Sequence, residues 1–404
     1  MTEAKGQARN AFPSRDIRVD GVTLTGGSVD GVGSRSTDLE YVDVVIVGGG
    51  QAGLATGYHL ARRGIRFVIV DAHSSVGDSW RNRWDSLKLF TPARYAGLPG
   101  KPFPAPPDSH PSAAEVATYL ESYARQMGLT VQCGVRVDRV TPLVGDAKTG
   151  FLIYTSSGLL KANQVVIATG GYQKPNIPFF AGELGPDILQ LHSSEYRNPS
   201  QLREGPVLVV GASTSGVEIA LEAAQNHRTL LSGRHPGQIP FRIDGPLARL
   251  TFPLVWFIWN HVFAMANPLG RMTRPYVRHR GGPLFRIKLA DLEAANVERV
   301  TLRTIGAQAG QPVLEDGRVL DVTNVIWCTG FRGDYSWIDG LSIGDDGYPV
   351  ENLGTVPELP GLYFVGLKFQ RTIGSMLIGG VGRDVAYIAD CIATARQEHD
   401  SGDG

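Results

Sequence analysis

Two stretches of this chain carry residues whose types and spacing suit them to hold a phosphate-bearing cofactor. In the first, the apolar run Val44-Val45-Ile46-Val47 enters Gly48-Gly49-Gly50-Gln51-Ala52-Gly53. Gly48 permits a tight turn, Gly50 lets the backbone approach a pyrophosphate, and Gly53 lets a following helix pack against the strand. The opening amides of that helix, at Gln51 and Ala52, would face phosphate charge. A second apolar run, Phe67-Val68-Ile69-Val70, ends in Asp71, about 20 residues beyond the glycines, where a carboxylate can hold a ribose diol. Strand, turn, helix, strand and acid in that order predict a dinucleotide site.

The second stretch, Val207-Leu208-Val209-Val210 followed by Gly211-Ala212-Ser213-Thr214-Ser215-Gly216, repeats the pattern with Ser213 in place of the middle glycine. Serine is small enough to keep the turn and offers a hydroxyl to phosphate. The next apolar run closes on Ser232-Gly233-Arg234 without an acid. An arginine there suits the 2′-phosphate of NADP, which favours NADPH over NADH; the competing reading of Arg234 is a solvated surface arginine.

The elements that must position these residues read as α/β, with two Rossmann-like three-layer domains. Val165-Val166-Ile167-Ala168-Thr169-Gly170 and Val325-Ile326-Trp327-Cys328-Thr329-Gly330 are matching strands that end in small residues. They mark the crossings between domains and place Thr169, Gly170, Thr329 and Gly330 beside the cofactors. One domain is expected from residues 41–172 and 328–404, and an inserted one from 173–327. Cys328 stands where Ala168 stands in the other copy, as a small buried residue rather than a nucleophile. Leu362-Tyr363-Phe364-Val365-Gly366 is a last strand ending in glycine, before a glycine-rich turn and an apolar helix to about residue 396.

Between the first strands and the first crossing lies Gly77-Asp78-Ser79-Trp80-Arg81-Asn82-Arg83-Trp84. Gly77 would let this loop lie over a cofactor ring, with Trp80 and Arg81 against it; the alternative is that the tryptophans are core. Ser112 and Glu115 form a capping-box pattern at the head of a helix over 112–128. The apolar segment 250–266, interrupted by Pro253, Asn260 and His261, is short of a bilayer span. Within an insertion at about 245–290 it reads as a lid over a hydrophobic pocket, a peripheral membrane contact, or a homo-oligomer contact. His261 receives no role.

Composition narrows the function classes. Across 404 residues, 39 Lys and Arg balance 39 Asp and Glu, so nothing points to nucleic acid. Cys133, Cys328 and Cys391 make no CxxC pair and no metal-ligand spacing, which predicts no metal and a reducing, cytoplasmic setting. No signal peptide or integral membrane segment is read. Residues 1–40 are polar and glycine-rich, and a mobile extension is expected there.

The order of these motifs resembles the flavin-containing monooxygenase group. It is most similar to bacterial CzcO-type flavoproteins, with plant YUCCA-type indole-pyruvate monooxygenases more distant. The resemblance runs from about residue 42 to residue 396 and rests on GGGQAG (48–53), Gly77 with Trp80-Arg81, Ala168-Thr169-Gly170, GASTSG (211–216), Cys328-Thr329-Gly330 and the tail over 361–384. It implies FAD on the first glycine loop, in a glutathione-reductase-like domain, and NADPH on the second. The implied activity is a monooxygenase that activates O₂ at the flavin C4a position and passes one oxygen atom to a small organic substrate with hydrophobic surface. Phe180-Ala181-Gly182 and His192-Ser193-Ser194-Glu195-Tyr196 match the two ends of a group signature, with a longer spacing between them. The resemblance links His192 to domain coupling. No catalytic residue emerges from the spacing of acids, bases and nucleophiles. The runner-up is an NADPH-dependent flavoprotein reductase serving a partner protein or a quinone; a cofactor-binding sensor is a third reading.

Overall fold

Val44 to Val47 are buried on both faces, as a central parallel strand requires, and the strand Glu40–Val47 sits in the middle of a sheet. The computed structural model describes residues 17–19, 22–24, 40–143, 150–243, 245 and 248–402. Ile17–Val19 and Val22–Leu24 form a short antiparallel pair. The rest of residues 1–39, where a mobile extension was expected, lies outside the described residues.

Glu40–Val47 runs parallel to Phe67–Asp71 on one side and to Gly158–Ile167 on the other, and Val45 pairs with both Val68 and Val165. Val131–Cys133 extends the sheet beyond Phe67–Asp71. The ten-residue strand Gly158–Ile167 changes partners along its length. Its first half pairs antiparallel with Phe151–Thr155, and Val165 to Ile167 pair parallel with Leu362–Phe364. Alternation then divides the layers. Val44 and Ile46 pack under the helices Gln51–Arg62, Ala113–Gln126 and Gly382–Gly402. Val45 and Val47 face Ile153, Tyr335, Ile338 and Phe364. Ala113–Gln126 opens with the expected capping box: the Ser112 hydroxyl accepts from the Glu115 amide at 3.2 Å, and the Ser112 amide donates back to the Glu115 carboxylate at 2.7 Å.

A second sheet has five parallel strands in the order Leu189–His192, Asn324–Trp327, Val207–Val210, Thr229–Ser232, Glu298–Val300. Val207 and Val209 face the helices Thr214–Ala223 and Leu289–Ala294, while Leu208 and Val210 face Phe180 and Leu184. Lys174–Pro175 and Phe331–Arg332 pair antiparallel where the chain passes from one sheet to the other and back. The architecture is the expected α/β pair of dinucleotide-type sheets.

The 245–290 segment is more regular than its prolines suggest. Helix Ala248–Phe257 includes Pro253, continues through the wide turn Ile258–Val262, and is followed by helix Pro268–His279, which includes Pro275. Phe252 and the half-buried Trp256 and Trp259 pack with Phe90, Tyr95 and Phe285. The second helix is tied to the C-terminal part of the chain by buried charge: Arg278 reaches Glu351 at 3.0 Å and Asp346 at 2.8 Å, and Arg274 also pairs with Glu351.

Candidate functional site: two dinucleotide cradles

In the first loop Gly48 has φ +111°, and a Cβ there would lie 2.6 Å from the Ala168 carbonyl oxygen. A Cβ on Gly53 would run into the Gly48 carbonyl, so the helix packs on the turn only with glycine at that position. Gly50 differs: its backbone is extended, and no atom lies within 4 Å of the place a Cβ would take. The helix that starts at Gln51 and Ala52 has no side-chain cap. Open approach and unsatisfied first-turn amides together fit a pyrophosphate.

Asp71 lies behind this loop. One of its oxygens accepts the Gly49 amide at 2.5 Å, and the other accepts the His73 amide at 2.7 Å and His73 Nδ1 at 2.8 Å. Burial pushes its pKa up, but these hydrogen bonds outweigh burial and hold the carboxyl below its ordinary value. It is therefore ionised and keeps acceptor capacity for a diol. Gly77 has φ +90°, and a Cβ would meet the Ala117 carbonyl at 2.7 Å, which seats the loop on the Ala113–Gln126 helix. Trp80 Nε1 donates to the Gln51 side chain at 3.3 Å, so the loop reaches the cradle through the tryptophan. Its neighbour Arg81 pairs with Asp78 at 2.7 Å and Glu121 at 2.6 Å and braces the loop to the helix. The Thr169 hydroxyl accepts from Gln173 at 2.8 Å; Gly170, at φ +68°, borders open space. Gly366 closes the last strand 3.0 Å from Ala52 Cβ, measured from its own ideal Cβ position.

The second loop reproduces the first. Gly211 also has φ +111°; its Cβ would strike the Cys328 carbonyl, and a Cβ on Gly216 would strike Gly211. Ser213 has φ −86° and ψ −172°, close to the −79° and −169° of Gly50, and Thr214 and Ser215 open an equally uncapped helix. The Ser213 hydroxyl donates to the Gly282 carbonyl at 3.2 Å, a contact from the 245–290 insertion that the sequence did not suggest. Ser232 is fully buried, with its hydroxyl donating to the Leu302 carbonyl at 2.9 Å and lying 2.9 Å from the Thr304 hydroxyl. Its carbonyl accepts the Gly211 amide at 2.8 Å and so supports the turn. Arg234 stands exposed at the end of the same strand, 3.6 Å from Glu315, a long and solvated contact. Thr329 donates to the Asn176 carbonyl at 2.6 Å, while Gly330, at φ +83°, borders open space.

His192 is buried between these regions. Its Nε2 donates to the Gly330 carbonyl at 3.0 Å, which leaves Nδ1 to accept the Ser194 amide at 3.2 Å. Burial lowers its pKa, in keeping with a neutral ring. Burial pushes the Cys328 thiol up to about 12, so it is no nucleophile.

Two groups escaped the sequence reading. Arg83 is placed 4.7 Å from the Tyr172 ring centroid and 5.6 Å from that of Phe331, and burial lowers its pKa. The dense Trp-Arg cluster around it was a usable signal. Glu218 lies inside the Thr214–Ala223 helix with Arg286 at 3.1 Å, and burial raises its pKa. Nothing local distinguishes it from a surface helix residue. A cavity of about 310 Å³ is lined by Pro92, Arg94, Tyr95, Ala248, Phe252 and Pro253 among others, beside the aromatic cluster.

Two sheets, one mixed with a parallel centre and one wholly parallel, each lead into an uncapped glycine cradle and define a protein with two dinucleotide sites. Residues 45–237 match the pyridine nucleotide-disulphide oxidoreductase family. A CzcO-like oxidoreductase of Geobacillus kaustophilus is 38% identical over 353 residues, which cover 87% of this chain and 98% of that protein. The probable indole-3-pyruvate monooxygenase YUCCA3 of Arabidopsis thaliana is 29% identical over 393 residues, covering 85% of this chain and 86% of its own. Among solved structures, the flavin-containing monooxygenase from Stenotrophomonas maltophilia superposes with a TM-score of 0.72 at 26% identity, over 88% of this chain and 99% of that one. The chain belongs to the CzcO-like oxidoreductases and is an FAD-dependent oxidoreductase.

Proposed function

We propose that this chain is an NADPH-dependent flavin monooxygenase that transfers one oxygen atom from O₂ to a small organic substrate with hydrophobic surface. The observation that carries the reading is the pair of open, uncapped glycine cradles on one chain, one in each sheet. Residues 41–172 and 328–404 then serve as the FAD domain and 173–327 as the NADPH domain. The likeness to the S. maltophilia monooxygenase over nearly its whole length supports the oxygenase reading. The three free cysteines, none beside another, argue against the disulfide-reducing branch.

Bound FAD supplies the relay of electrons from nicotinamide to dioxygen. The amides of Gln51 and Ala52, with the bare backbone of Gly50, hold its pyrophosphate, and Asp71 holds the ribose diol. The first-turn amides of Thr214 and Ser215 hold the phosphates of NADPH, joined by the Ser213 hydroxyl once it turns from the Gly282 carbonyl, with Arg234 on the 2′-phosphate. Neutral His192 latches the crossing segment at Gly330, so the geometry between the sites is fixed without a charge. Tyr95 and Phe252 line the neighbouring cavity together with Arg94, Asp108 and Arg249, and the aromatic cluster of Phe90, Trp256, Trp259 and Phe285 packs beside it.

Rapid mixing tests this. The flavin-loaded protein, reduced by NADPH and mixed with oxygenated buffer, should pass through a long-lived absorbance phase distinct from both reduced and oxidised flavin. Direct return to the oxidised spectrum with one hydrogen peroxide per NADPH would favour the reductase.

A further inference from the structure

Six large apolar side chains of the insertion lie open to water: Leu250 is 78% exposed, Met272 76%, Leu254 61%, Tyr276 60%, Phe257 53% and Leu269 44%. They are six of the fifteen exposed large hydrophobic residues among the described residues, gathered in 27 positions. Leu250, Leu254 and Phe257 fall at helical spacing on Ala248–Phe257, and Leu269, Met272 and Tyr276 do so on Pro268–His279. Each helix thus has a second apolar stripe, opposite the side that packs on the body.

The charged side chains carried by the insertion itself have one sign. From residue 245 to 290 the sequence holds Arg249, Arg271, Arg274, Arg278, Arg280, Arg286 and Lys288 and no Asp or Glu, in a chain whose formal net charge is zero. Four of these cations are used internally: Arg274 and Arg278 on Glu351, Arg286 on Glu218, and Lys288 on the Ile239 carbonyl at 2.9 Å. Arg249, Arg271 and Arg280 are exposed. Arg249 pairs with the half-buried Asp108, Arg271 donates to the Met265 carbonyl, and Arg280 lies 4.4 Å from the Tyr276 ring centroid. The helices cannot drift from the body to hide the stripes. The Met265 amide donates to the Arg371 carbonyl at 2.8 Å, and the Arg278–Glu351 pair is buried.

We propose that these two helices are a docking surface for an anionic phospholipid bilayer, lying in its interface with the six apolar side chains among the headgroups and the exposed arginines on lipid phosphates. Neither helix is long and apolar enough to cross a membrane, and an in-plane seat needs no such length. Exposed apolar stripes with a cationic rim match such a surface. A second copy of the chain matches less well, because a two-fold contact would set the same arginines against one another.

The test is co-sedimentation of the flavin-loaded full chain with phosphatidylcholine vesicles, with and without phosphatidylserine, at low and high salt. Binding is expected on the serine-containing vesicles and should weaken with salt. Leu254→Ser with Met272→Ser should weaken it about tenfold or more, on a fold whose flavin content and melting are unchanged. Arg271→Gln and Arg280→Gln should each cost about fivefold, on anionic vesicles only. Absence of sedimentation with either vesicle, or equal binding by the serine variant, overturns the proposal. So does a dimer in light scattering that the serine variant dissociates while no vesicle is bound.

Discussion

Gly50→Ala separates the fold of the first loop from its function. The Gly50 backbone is extended, a conformation any residue adopts, and open space surrounds its Cβ position. Ser213 carries a Cβ at the matching place in the second loop, with nearly the same dihedral angles. The substitution should therefore leave the apoprotein intact, or stabilise it by about 0.4–1 kcal/mol through the unfolded chain. In the loaded protein the same methyl occupies the approach of the pyrophosphate to the helix amides. Loss of one charge-assisted hydrogen bond costs about 1.5–3 kcal/mol, or roughly ten- to 150-fold in FAD affinity. Flavin fluorescence titration of the apoprotein measures the affinity, and circular-dichroism melting measures the fold. Gly53→Ala is the control, since its methyl collides with the Gly48 carbonyl and should lower apoprotein melting. Unchanged FAD binding by Gly50→Ala, or a melting loss matching that of Gly53→Ala, would refute the reasoning.

Arg234→Ala should raise the KM for NADPH about ten- to 150-fold and leave that for NADH nearly unchanged; equal loss of both would mean that Arg234 holds no 2′-phosphate. Glu351→Gln strands two buried or nearly buried arginines, Arg274 and Arg278, and should cost about 3–5 kcal/mol in urea unfolding. A loss under about 1 kcal/mol would show that Asp346 alone suffices for both. Asp384 is buried with one carboxyl oxygen unpartnered, and burial raises its pKa to about 6 from an ordinary 3.8, against the pull of Ser375, Arg371 and Arg383 and with Glu351 adding to the rise. The folded state then keeps this proton over a range in which the unfolded chain has lost it, so stability falls as pH rises from about 4 to about 6. Asp384→Asn should flatten that part of the pH profile of unfolding, whereas parallel profiles would place the carboxyl in a solvated setting.

What was legible in the sequence is what backbone geometry demands locally. Gly48, Gly53, Gly211 and Gly216 each sit where a Cβ would strike a carbonyl, and only their spacing was needed to find them. The Ser112–Glu115 capping box is equally local. The partners of Ser232 and Arg81 were hidden for the opposite reason. The face a strand residue presents, and the carboxylate an arginine finds, depend on partners as distant in sequence as Thr304 and Glu121. Pro253 read as an interruption, yet the helices around it and around Pro275 are held by an aromatic cluster and by Glu351, contacts that no local pattern announces. Glu218 was invisible because its ion-pair partner, Arg286, lies 68 residues away.

The central claim is that one chain carries a flavin cradle and a separate cradle for its electron donor. Anaerobic titration of the flavin-loaded protein with NADPH tests it most directly. The flavin absorbance should bleach at a rate that saturates with NADPH, and the Ser213–Ser215 loop should gain protection from hydrogen exchange. A protein that binds no FAD, or whose bound flavin stays oxidised in excess NADPH, would contradict the account.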